Sequence, residues 1–431
     1  IFVKGVDRAM TQASIVTYEK IAEGRRENIQ NHWEKFPEDQ YQEFVKETKQ
    51  VVNMMVKEFE MRKAAYRSQR ARTSTKGSLD VNKLHRYKYD DHLFKQAVKL
   101  ADAKSHGMMM MIDRSGSMFN EMPAVLRQTI ALVMFCRRVN IPFEVYSFTS
   151  HDSYDIYKDV AEKQLAARDE SVTQMMIDEM AILELFSSKM NRQTFEEACR
   201  MTWWQTKNEN NWRYIASRYE GFGSTPLNAV LQSLTFMIED FRKKYAVQKM
   251  NLVTLTDGDS NQLRLKRGKD LNARDYSYRA KKYTVSYNGR NVVIDQKEYR
   301  SGYYNNVNQE FTQDLIKEIE KMGVTTINYY LCARRRDLKG ELNRSLNFNY
   351  DAIRNAQSDI RKKGCFVIDN NRGYNRRFIL LGDTDAMRGE IDDLEVDSDM
   401  SAAKIAKAFG KSNSSKKMSR VITQKFAEMV A

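Results

Sequence analysis

Five consecutive apolar residues, 108–112, end in Asp113. An unbroken run of that length, closed by a polar turn, is the pattern of a strand buried on both faces of a parallel sheet. A second, largely apolar segment, 250–255, is followed two residues later by Asp257 and also reads as a buried strand. Between and after them the apolar period becomes helical. Within 123–138, Leu126, Ile130, Val133 and Met134 share one face, and Pro123 suits a first helical turn. Within 227–245, Val230, Leu231, Leu234, Ile238 and Phe241 form another apolar stripe. Residues 311–322 predict a third helix, stopped by Gly323. Residues 142–148 alternate as a strand, and 325–332, 365–369 and 378–381 predict three more. Strands alternating with helices predict an α/β fold: a doubly wound, mostly parallel sheet covered on both faces.

The flanks carry a different texture. Residues 41–66 contain no Pro or Gly, and Phe44, Val51, Val52, Met55 and Phe59 recur at helical spacing. Residues 1–105 are therefore expected to form a helical N-terminal region, and 106–385 the α/β domain. Two segments interrupt that domain: a polar, helical insertion at about 151–220, and a basic, Tyr-rich one at about 261–305. In the second, residues 283–294 predict a hairpin turning at Asn288-Gly289. The tail, 386–431, runs acidic over 390–399 and then basic over 404–425. The basic stretch 62–76 reads as a solvated helix end. Trp203, Trp204 and Trp212 offer surfaces for base stacking, but read more simply as the first insertion's own small core.

Composition narrows the class. The chain has 431 residues, 42% hydrophobic, with only 4 Pro and 18 Gly, which excludes wholesale disorder and collagen-like architecture. No apolar run reaches the roughly 18 residues of a membrane span, so a soluble, cytoplasmic protein is expected. The net charge of +14 favours an acidic partner: nucleic acid, an anionic surface or an acidic protein. Cys136, Cys199, Cys332 and Cys365 are scattered, which fits neither a disulfide framework nor a zinc ribbon and suits a reducing compartment. The nearest approach to a phosphate-binding loop, Gly410-Lys411-Ser412, has Ile405 where the first glycine belongs. There is no Gly-x-Ser-x-Gly, and no His-Glu-x-x-His among the five histidines. A non-catalytic chain is expected, with any ATP-driven step supplied by another subunit.

The chemistry concentrates in three short motifs. Asp113-Arg114-Ser115-Gly116-Ser117 follows the first buried strand, Gly223-Ser224-Thr225-Pro226 precedes the helix at 227, and Thr256-Asp257-Gly258 follows the second strand. Ligands of open parallel sheets bind at such strand carboxyl ends. Asp113, Ser115, Ser117, Thr225 and Asp257 are hard oxygen donors, suited to a small divalent ion such as Mg²⁺ that keeps some of its waters.

In this order and on these elements, the motifs resemble the metal-ion-dependent adhesion site of von Willebrand factor A domains, over about residues 106–385. The resemblance implies a Rossmann-like fold. It implies that Ser115, Ser117 and Thr225 coordinate the ion and that Asp113 and Asp257 bind it directly or through water. It also implies an open coordination position filled by an Asp or Glu of a partner. Residues 77–84, Gly-Ser-Leu-Asp-Val-Asn-Lys-Leu, placed ahead of the metal-site strand, are similar to the CobT subunit of aerobic cobaltochelatase, and closer still to CobT-like proteins of tailed bacteriophages. That resemblance implies work beside an AAA+ ATPase of the MoxR or CobS kind. The helical part here is short, and no long acidic region precedes the A domain, unlike the chelatase subunit. A Mg²⁺-dependent interaction subunit is thus the leading expectation. An RNA- or DNA-binding A domain and a structural component of a virion are the alternatives.

Overall fold

The computed structural model describes residues 2–32, 35–69, 72–74, 97–99, 105–150, 158–167, 173–175, 180–207, 215–261, 265–267, 282–287, 289–295, 306–332, 335–381 and 425–426. In chain order the strands are β1 (Phe2–Lys4), β2 (Ile15–Val16), β3 (Arg72–Ser74), β4 (Ala97–Lys99), β5 (His106–Asp113), β6 (Phe143–Ser150), β7 (Thr173–Met175), β8 (Met180–Ser187), β9 (Lys249–Thr256), β10 (Leu265–Arg267), β11 (Lys282–Tyr287), β12 (Arg290–Asp295), β13 (Val324–Cys332), β14 (Cys365–Asn371) and β15 (Tyr374–Leu381). The helices are α1 (Arg8–Ser14), α2 (Tyr18–His32), α3 (Glu38–Gln69), α4 (Met122–Arg138), α5 (Lys158–Ala166), α6 (Arg192–Gln205), α7 (Leu227–Tyr245), α8 (Asn306–Lys321), α9 (Arg335–Ser345) and α10 (Tyr350–Lys363).

The long apolar runs form the centre of an eight-stranded sheet, in the order β14-β15-β13-β9-β5-β6-β8-β2. β15, β13, β9, β5 and β6 are parallel, while β8 and β14 run against their neighbours β6 and β15. The chain builds outward from β5 through β6 to β8, then returns to β9 and builds outward through β13 to β15. This is the doubly wound, Rossmann-like sheet expected of the sequence, and its topological switch point lies between β5 and β9.

The period-two geometry of β5 sorts its side chains. Met108, Met110 and Ile112 face Leu126, Ile130 and Val133 of α4 and Val52, Met55 and Phe59 of α3 in one core. Met109 and Met111 face Val230, Leu231, Leu234 and Ile238 of α7 and Phe311, Leu315 and Ile319 of α8 in the other. Each such side chain, fully buried, contributes about 1.5–3 kcal/mol, so β5 is pinned on both faces. Around α9 and α10 a smaller core gathers Leu338, Leu342, Ile353, Ala356 and Ile360.

Some expectations are corrected. Residues 180–187, expected inside a helical insertion, are β8, paired antiparallel with β6 from Glu144↔Ser187 to Ser150↔Met180. A short apolar run does not distinguish helix from buried strand; the open edge of β6 decided it. The N-terminal region is not purely helical. Its β2 adds to β8 in parallel, and its β1 lies between β7 and β11 in a second sheet, β10-β7-β1-β11-β12. The predicted hairpin is present as β11–β12, with Tyr287 opposite Arg290 and Gly289 at φ +74°. Trp203 and Trp204 are buried, but in the main core: Trp203 packs 5.2 Å from Tyr41, and Trp204 5.1 Å from Phe36. The basic stretch 62–76 begins on the last turns of α3, which ends at Gln69, as the helix-end reading expects. Trp212, the 77–84 motif and the charged tail apart from 425–426 fall outside the described residues.

Between α3, α4 and α6 runs a groove of about 760 Å³ with a basic rim. Much of that charge is already engaged. Arg200 pairs with Glu38 at 2.7 Å and stacks on Phe36, Arg192 pairs with Glu196 at 3.0 Å, and Arg137 lies over Phe195. Among the described residues no helix is long and apolar enough to cross a membrane.

Candidate metal centre

The switch point brings together four of the five predicted residues, Asp113, Ser115, Ser117 and Asp257. Asp113 ends β5 and is fully buried. Its Oδ1 accepts from the Ser115 main-chain N–H at 2.9 Å, which closes the strand end into a tight loop. Its Oδ2 accepts from the Thr256 hydroxyl at 2.7 Å, across from the end of β9. Ser115 Oγ lies 3.1 Å from Ser117 Oγ, and Ser117 Oγ donates to Asp257 Oδ1 at 2.9 Å. Four of the five predicted residues thus form one hydrogen-bonded arc, from the buried Asp113 to the solvent-exposed Ser117.

Thr225 is not itself bonded to the arc; the segment that carries it docks beside the arc through Gly223 and Ser224. Gly116 N–H donates to the Gly223 oxygen at 2.9 Å, and Gly223 N–H to the Arg114 oxygen at 3.3 Å. Asn261 N–H donates to the Thr225 oxygen at 2.8 Å, tying this segment to the loop that carries Asp257. Ser150 N–H and the Ser224 oxygen meet at 3.3 Å, so the segment also docks on the end of β6. The approach is so close that a Cβ on Gly223 would lie 1.3 Å from the Ser150 oxygen. Glycine is required there by space.

The electrostatics suit a cation. Burial pushes the Asp113 carboxyl up to about 7 against the Thr256 hydrogen bond, with the Asp257 charge adding to the rise. Asp257 is also raised, again chiefly by burial. The one basic residue in the loop, Arg114, turns away and donates through Nε to the Glu220 main-chain oxygen at 2.7 Å. Two carboxylates and three hydroxyls with no soft donor fit a hard, small divalent ion. Among the described residues no group of three or more His, Cys, Asp and Glu forms an alternative metal cluster.

Several contributing residues went unread in the sequence. Thr256 stands beside Asp257 in a motif already singled out, yet its hydroxyl serves Asp113. Asp259 accepts from Gln309 at 2.6 Å and from Arg372 at 3.1 Å, which anchors the far side of the β9 loop. Glu220 closes a capping box with Ser217. The Ser-x-x-Glu spacing was the available signal for it.

No protein-family model and no curated protein matches the chain. Among solved structures it is similar to the vWF domain of the type V pili tip protein Mfa5 from Porphyromonas gingivalis, at 9% identity and TM-score 0.33, over 77% of this chain and 98% of that one. It is similar to the PilB minor pilin from Streptococcus sanguinis, at 12% identity and TM-score 0.35, over 76% of this chain and 63% of that one. It is also similar to the pilus adhesin SpaC from Lactobacillus rhamnosus GG, at 13% identity and TM-score 0.33, over 61% of this chain. The chain spans about a third of SpaC, 31%. The strand order and the winding of the connections, rather than these distant likenesses, define the fold.

Proposed function

We propose that this chain is a non-enzymatic, Mg²⁺-dependent protein-interaction subunit whose metal site is of the von Willebrand A type. The observation that carries the reading is the hydrogen-bonded arc from Asp113 through Ser115 and Ser117 to Asp257, with the Thr225 segment alongside. Asp113, Ser115, Ser117, Thr225 and Asp257 would hold the ion. Bound there, it would offer an open position to a carboxylate from a partner. With only two anionic donors, a divalent ion keeps attraction for that carboxylate. Among the described residues, the Ser115 and Ser117 hydroxyls bond to each other and to Asp257, an arrangement that supports metal coordination rather than a nucleophile paired with a histidine or lysine base.

The partner we propose is an AAA+ ATPase of the MoxR or CobS kind, with a client protein supplying the Asp or Glu. The CobT-like resemblance at 77–84 supports this. A bacterial cytoplasm, including that of a phage-infected cell, is the corresponding location. The test is a pull-down from host lysate with the wild-type chain and with Asp113→Ala, each in Mg²⁺ and in EDTA. An ATPase captured only by wild type in Mg²⁺ is the expected result; capture that ignores both the substitution and the chelator overturns the reading. The net charge of +14 supports a second reading, nucleic-acid binding. Nucleic acid retained by both chains with and without metal, and released by salt, would favour it.

A further inference from the structure

Arg25, Glu220 and Arg114 come from three distant parts of the chain, and their side chains are 1%, 0% and 2% exposed. Arg25, on α2, grips the Glu220 carboxylate with two parallel bonds, Nε to Oε2 at 2.8 Å and Nη2 to Oε1 at 2.6 Å. The same carboxylate accepts from Gln205 Nε2 and from the Ser217 main-chain N–H, each at 2.9 Å. The Glu220 main-chain oxygen takes the Arg114 Nε, while Arg114 Nη1 lies 3.9 Å from Glu220 Oε1. Arg114 stands between Asp113 and Ser115, and its own main-chain oxygen accepts from Gly223 N–H and from the Thr149 hydroxyl. Helix α2 sits directly on the Glu220 turn: a Cβ on Gly24 would lie 2.6 Å from Ser217 Oγ.

Resting on the metal-site reading above, we infer that Arg25 is a positioning residue for that site. Through Glu220 it fixes Arg114, and so holds the 113–117 loop against the 220–225 segment that carries Thr225. Removing one partner of a buried ion pair leaves the other charge uncompensated, which is strongly destabilising. With Arg25 gone, the remaining cation beside Glu220 among the described residues is Arg114. Swinging its guanidinium from the Glu220 main-chain oxygen onto the carboxylate drags the residue between two of the metal-site oxygens. The paired, two-bond geometry is specific to a guanidinium, so lysine replaces it poorly. The N-terminal helix, which carries none of the five donors, thereby sets their arrangement.

The experiment uses the full chain. Mg²⁺ binding is measured by titration calorimetry on wild type, Arg25→Lys, Gln205→Ala and Phe59→Ala, at a temperature where circular dichroism shows each folded. Amide exchange of residues 113–117 is followed in parallel in EDTA. Phe59 is a core residue on α3, packed on Phe135, and its truncation serves as a stability control. The expected result is Mg²⁺ affinity about tenfold weaker in Arg25→Lys and faster exchange of the Ser115 and Gly116 amides, with Phe59→Ala changing melting temperature alone. Wild-type affinity in Arg25→Lys with unchanged exchange overturns the inference, and Gln205→Ala supplies the same comparison if Arg25→Lys fails to fold. Faster loop exchange in a chain that binds no Mg²⁺ at all would uphold the strut and overturn the metal-site reading.

Discussion

Asp113 is a buried carboxylate that accepts hydrogen bonds from the Ser115 main chain and the Thr256 hydroxyl, with no ion pair to a described residue, and that environment sets its expected behaviour. Without metal at pH 8 its charge costs stability, because burial raises its pKa to about 7. Asp113→Asn removes the charge and keeps the shape, and the Thr256 hydroxyl can turn to the Gly258 oxygen at 3.1 Å. We therefore expect Asp113→Asn to melt higher than wild type in EDTA and to lose all stabilisation by added Mg²⁺, both read by calorimetric melting. Glu341 behaves oppositely. Burial alone would raise it, but Arg377 and Arg372 outweigh burial and hold it at about 2. A depressed carboxylate adds stability in full above its unfolded pKa, near 4.5, and loses it as pH falls toward 2. Melting temperature should thus drop as pH falls from 4.5 toward 2, and Glu341→Gln should flatten that drop while lowering stability at neutral pH. A Glu341→Gln curve parallel to wild type would show that the pair does not govern acid unfolding.

At the scale of elements, the site depends on three chain segments arriving at one sheet edge. β5 delivers Asp113, β9 delivers Asp257, and the segment before α7 delivers Thr225 by threading between β6 and the Asp113 loop. The contact that permits this is Gly223 against the Ser150 main chain. Gly223→Ala forces main chain from main chain, so we expect destabilisation of about 3 kcal/mol, read by urea denaturation, with Mg²⁺ binding lost more completely than the fold. Near-wild-type stability would mean the segment docks elsewhere. The strands and helices of this centre were legible because their apolar runs and stripes are long. The 180–187 strand was not, because its identity depends on the edge it pairs with rather than on its own period.

At the scale of the molecule, the N-terminal residues are part of the α/β architecture. Val3 and Val6 join the core under α7, Tyr18 and Ala22 join the core under α4, and β2 extends the main sheet. Removing residues 1–36 would uncover both cores and leave Glu220 without its Arg25 partner. We expect no cooperatively folded product, measured as loss of a sharp thermal transition and gain of dye binding to exposed apolar surface. A truncated chain that melts sharply would show that residues 1–36 are dispensable to both cores.

The sequence by itself determined the doubly wound sheet, which follows from local signals: apolar segments and helical stripes. It also singled out five candidate oxygen donors at strand and helix ends, of which the structure hydrogen-bonds Asp113, Ser115, Ser117 and Asp257 together. The tertiary structure alone decided that Thr256 serves Asp113, that Trp203 and Trp204 seal the main core, and that Arg25 reaches the 113–117 loop through Glu220. Those pairings join residues up to 195 positions apart. Nothing in a local pattern encodes such a pairing, because a buried charge is matched only when folding removes water from around it.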